Sequence, residues 1–146
     1  MATGERVLPA LMAVVYGAAL IATWGFTSLV IDVDVIAEND AGPLLGPAMA
    51  AGAILATWGW LVRLRRADGP WGIAVLAAAS SWFAMLAIGS IGYAVTRGEP
   101  TWLLLFAGAH ASSPFLLLPA LLAGVVVVVT RVLTGRSPEA KSFDRR

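Results

Sequence analysis

Residues 100–130 read PTWLLLFAGAHASSPFLLLPALLAGVVVVVT, a stretch without one Asp, Glu, Lys or Arg. A helix crossing the hydrocarbon core of a bilayer needs about 20 apolar residues, and this stretch exceeds that. Working outward from it, three more charge-free windows appear, 7–31, 41–62 and 69–96, which are 25, 22 and 28 residues long. The chain of 146 residues is 59% hydrophobic and 13% charged, against roughly 25% charged in an ordinary soluble domain. Only lipid gives that much apolar chain a place to go. A soluble enzyme, a nucleic-acid binder and a secreted scaffold are thereby excluded, and the pattern predicts an all-α, four-helix transmembrane bundle.

The punctuation sets the spans at about 7–31, 44–62, 71–95 and 101–130. Gly42, Pro43, Gly46 and Pro47 mark the entry to the second span, and Asp68-Gly69-Pro70 forms a turn with proline placed at a helix start. Thirty residues of helix would run roughly 45 Å, longer than a ~30 Å core, so the fourth span has to tilt, project or bend. Pro114 and Pro119 supply the bends. Glu5 and Arg6 precede an apolar run too long for a signal-peptide core, so the first span is expected to stay in the protein. The tail, 131–146, has no apolar period and reads as a disordered basic cytoplasmic segment.

Orientation follows from the basic residues, because positively charged short loops stay cytoplasmic. With four spans, nine basic and four acidic residues fall on the side of the termini, and one basic and five acidic residues fall opposite. Both termini are therefore expected in the cytoplasm. Trp24, Tyr93 and Trp102 fall near the outer interface and Trp58, Trp60 and Trp71 near the inner one, as an aromatic belt would have them. Arginine outnumbers lysine nine to one, and Ala, Gly, Val and Leu dominate. That bias suits a GC-rich bacterial genome and hence a bacterial inner (plasma) membrane.

Two further patterns have an ordinary and a sharper reading. Residues 18–26 (AALIATWGF) echo 52–60 (GAILATWGW) in spans of opposite direction. The sharper reading is an inverted duplication of the kind transporters use; the ordinary one is chance in an Ala/Gly/Leu/Trp-rich chain. Small residues recur every four positions at Ala48, Gly52 and Ala56, at Ala74 and Ala78, and at Ala107 and Ala111. They allow close helix packing in lipid, within one bundle or across a homodimer.

Chemistry-bearing groups are few. With no cysteine and a single histidine, thiolate sites and a two-histidine metal or haem site are absent, and no cofactor is expected. The outer loop carries Asp32, Asp34, Glu38, Asn39 and Asp40, oxygen donors suited to Ca²⁺ or Mg²⁺. It lacks the EF-hand pattern, with Ile36 and Ala37 where a ligand and glycine belong, so it reads as a solvated loop and no metal is expected. Phosphate-loop, nucleophile-elbow and zinc-protease motifs are missing, which argues against an enzyme.

The most informative cluster surrounds His110. Pro114 removes the helical bond to the carbonyl of His110, and Pro119 removes that to Phe115, so both acceptors need donors from Ser112, Ser113 or neighbouring helices. His110 lies nine residues into span 4, Tyr16 nine into span 1, and Ser80 and Ser81 nine or ten into span 3. At 1.5 Å per residue these depths come to about 14 Å, near the midplane. Tyr16, Ser80, Ser81, His110, Ser112 and Ser113 are thus the candidate polar site. An intramembrane ionisable residue is a functional candidate, but no embedded carboxylate or cation accompanies this histidine. Hydrogen-bonded structural glue between helices is the ordinary reading; a ligand or proton site is the sharper one.

The acidic first outer loop, the arginines at 63, 65 and 66, the histidine–serine–proline segment 110–114 and the basic tail together resemble small four-span membrane proteins of unknown function from actinobacteria. The resemblance covers the whole chain and implies no chemistry. The expected role is that of a non-catalytic accessory or scaffold protein, in the lipid bilayer, packing against other membrane proteins or itself and not against nucleic acid. The alternative is a small oligomeric transporter or channel with its path through the polar layer.

Overall fold

The computed structural model describes residues 4–36, 42–64 and 69–135. Within them are five helices: α1 Gly4–Ile31, α2 Leu45–Arg63, α3 Pro70–Arg97, α4 Thr101–His110 and α5 Pro114–Gly135. Four windows are long and apolar enough to cross a membrane: Val7–Ile31, Leu45–Arg63, Trp71–Arg97 and Pro114–Thr134. The molecule is all-helical over the described residues, in line with the sequence. Glu38, Asn39 and Asp40 of the acidic loop, Arg65, Arg66 and Asp68 of the inner turn, and the tail from Arg136 lie outside those residues.

Helix ends follow the local chemistry. Pro70 opens α3 in its first turn, where a missing N–H removes no helical bond. Gly98 closes α3 in the left-handed conformation at φ 71°, with its N–H bonded to the carbonyl of Val95. Asp32, at φ 52°, takes the same conformation directly after α1, and Asp is among the few L residues that tolerate it.

The fourth span differs from the single bent helix expected over 101–130. It is two helices, separated at 111–113, and the second continues five residues past Thr130 to Gly135. Pro114 therefore begins α5 instead of bending a continuous helix. The carbonyl of His110, which Pro114 cannot serve, accepts the backbone N–H of Ser113 at 2.9 Å. A tight turn replaces the missing helical bond. At 1.5 Å per residue, α5 is about 33 Å long and spans a ~30 Å core alone, whereas α4 covers about 15 Å.

The four long helices pack in a ring, α1 on α2, α2 on α3, α3 on α5 and α5 on α1, with α4 laid along α3. Each presents one stripe inward at helical spacing: Met12, Tyr16, Leu20 and Trp24 from α1, and Met49, Ala53, Thr57 and Leu61 from α2. Ala74, Ala77, Ser81 and Met85 face inward from α3, and Leu116, Ala123, Val127 and Thr130 from α5. At Gly124, a methyl group would sit 3.1 Å from the carbonyl oxygen of Ala74 and 3.7 Å from the Cβ of Ala78. The Ala74/Ala78 pair singled out in the sequence is thus a close backbone approach between α3 and α5. Ala48 of the α2 series is exposed, while Gly52 of that series faces the side chain of Ile88.

The outer surface is apolar. Only 28–39% of the most apolar window of each long helix is buried within the protein, and Leu29 and Val30 are 82% and 81% exposed. Side chains of that kind, over four such helices, fit a multi-pass membrane protein whose outer face meets lipid.

Candidate functional site

Breaking a helix inside a bilayer leaves carbonyls that only the protein can satisfy. Here those acceptors are Ala111 and Phe115; a third carbonyl one turn further on, that of Pro119, takes a side-chain donor as well, although Ala123 can serve it within α5. The amide of Phe115, which would bond Ala111 in a continuous helix, is 3.3 Å from Ser113 Oγ instead. Trp82 of α3 donates its indole N–H to the Ala111 carbonyl at 2.9 Å. The carbonyl of Phe115, left open by Pro119, takes the indole N–H of Trp24 from α1 at 2.7 Å. Tyr16 of α1 donates to the carbonyl of Pro119 at 3.2 Å. Three aromatic donors from two helices thus face one column of carbonyls.

Tyr16 ties the column to the core. Its hydroxyl lies 2.7 Å from Ser81 Oγ, and it has one proton. Since that proton goes to Pro119, Ser81 donates to Tyr16. The chain Ser81–Tyr16–Pro119 links α3, α1 and α5 through residues with no exposed surface at Tyr16 and Ser81. Adjacent to Ser81, Ser80 accepts the indole N–H of Trp60 from α2 at 2.8 Å and donates to the carbonyl of Ala77 at 3.1 Å. All four long helices are joined by side-chain bonds at this depth.

The six polar residues read from depth arithmetic therefore fall into two groups. Tyr16, Ser80 and Ser81 meet other helices in the interior. His110, Ser112 and Ser113 belong to the α4–α5 turn and line a pocket of about 290 Å³ against the segment after α1. Val33 and Asp34 of that segment line the pocket together with Phe115. A carboxylate thus lines the same pocket as the histidine, supplied by the segment after α1 and not by a span. Among the described residues no group of three His, Cys, Asp or Glu is placed to hold a metal ion.

His110 is half-buried; its Nδ1 lies 3.2 Å from the Phe106 carbonyl one turn back, and its ring stacks on Phe106 at 4.1 Å and 11°. The stack continues upward, Phe106 to Tyr93 at 5.4 Å and Tyr93 edge-on to Trp102 at 5.7 Å. Arg97 caps it, its guanidinium 4.7 Å from the Trp102 ring centre and its Nη2 donating to the Tyr93 hydroxyl at 3.1 Å.

Sequence reasoning missed the tryptophans as donors. Trp24, read as an interface anchor, is 8% exposed and bonded to Phe115; Trp60, read likewise, bonds Ser80. The available signal was Pro119, which demands a donor for Phe115, together with an indole N–H that can only donate. Trp58 and Trp71 are 45% and 75% exposed, as lipid- or interface-facing rings would be. The echo of 18–26 in 52–60 keeps its local chemistry, with Thr23 bonded to Ala19 and Thr57 to Ala53. Its environments differ, Trp24 being buried and the equivalent Trp58 exposed.

No curated protein and no solved structure matches the chain. Residues 3–145 match DUF6121, a family of unknown function, and the chain belongs to that family.

Proposed function

We propose that this protein is a non-catalytic accessory or scaffold protein of a bacterial plasma membrane, with both termini cytoplasmic, that works by packing against other membrane proteins. One observation carries the reading. The polar groups at the centre, Tyr16, Ser81, Trp24 and Trp82, are bonded to each other or to the carbonyls of the broken span. Their hydrogen-bonding capacity holds the helices together. A transport path through this layer would have to break those bonds, which counts against the small oligomeric transporter or channel. The basic asymmetry supports the orientation, and the excess of arginine over lysine and the overall plan support an actinobacterial source.

Purification after gentle solubilisation from the native membrane separates the two readings. The accessory role calls for a second membrane protein at fixed stoichiometry, which survives exchange into lipid nanodiscs. A lone homo-oligomer that passes ions or protons in proteoliposomes would replace this reading with transport.

A further inference from the structure

We draw no further inference here: the strongest candidate, the hydroxyl of Ser90 buried on α3 without a hydrogen-bond partner among the described residues, lines no described pocket, its neighbours Gly89 and Tyr93 being packed against Phe106 of α4, and nothing in the structure shows what would meet it.

Discussion

Trp24 shows how one side chain serves two demands at once in a bilayer. Its ring fills the core between α1 and α5, and its N–H satisfies the carbonyl that Pro119 leaves open. Replacing it with phenylalanine keeps most of the apolar surface and removes the donor. The expected cost is about 0.6 kcal/mol, and at most ~1.7, the range for side-chain bonds between membrane helices. Trp58→Phe, at an exposed ring with no such bond, should cost close to nothing. Reversible unfolding in mixed micelles measures both; equal costs would show that the Phe115 carbonyl does not depend on Trp24. Residue roles of this kind were only half legible in the sequence. Tryptophan is apolar enough to sit at an interface and polar enough to need a partner, so position along the chain does not decide between the two. Proline is more explicit, because it names the carbonyl it abandons, and the acceptor at Phe115 was readable where its donor was not.

At the scale of elements, the account makes Trp24 and Pro119 a coupled pair. Pro119→Ala restores an N–H that can bond the Phe115 carbonyl within α5. In that background Trp24→Phe should cost almost nothing, and the double-mutant cycle should return a coupling close to the whole cost of the single tryptophan change. Additive effects would mean that proline and indole do not share that acceptor. The α3–α5 interface makes a second demand. Gly124→Leu places a side chain against the backbone of Ala74 and should destabilise by about 1–3 kcal/mol, as overpacking does. Gly59→Leu, with nothing within 4 Å of its Cβ position, should be tolerated. If both are tolerated in the same unfolding assay, the helices do not approach as closely as described. The spans were legible because a length of about 20 apolar residues is a property of the chain itself. The break at 111–113 was not, since a proline after His110 predicts lost bonding equally well for a bend or a fresh helix start. Which one forms depends on donors arriving from α1 and α3.

Across the molecule, among the described residues, interior side-chain bonds cross-link all four long helices, and the outward face is apolar. Its polar layer was legible as depth but not as geometry. Counting residues set Tyr16 and Ser81 level with each other, and their hydroxyls do meet, whereas the approach of Asp34 to His110 depends on how the chain folds back after α1. Disposition in the membrane is a property of the whole molecule too, and the charge asymmetry leads to the proposal that both termini are cytoplasmic. Because the sequence has no cysteine, single cysteines at Gly69 and Glu99, the exposed residues flanking α3, report it in intact cells with an impermeant thiol reagent. Labelling is expected at 99, and none at 69 until the cells are opened. Labelling at both would contradict a membrane-spanning α3, and labelling at 69 alone would reverse the orientation of the whole bundle.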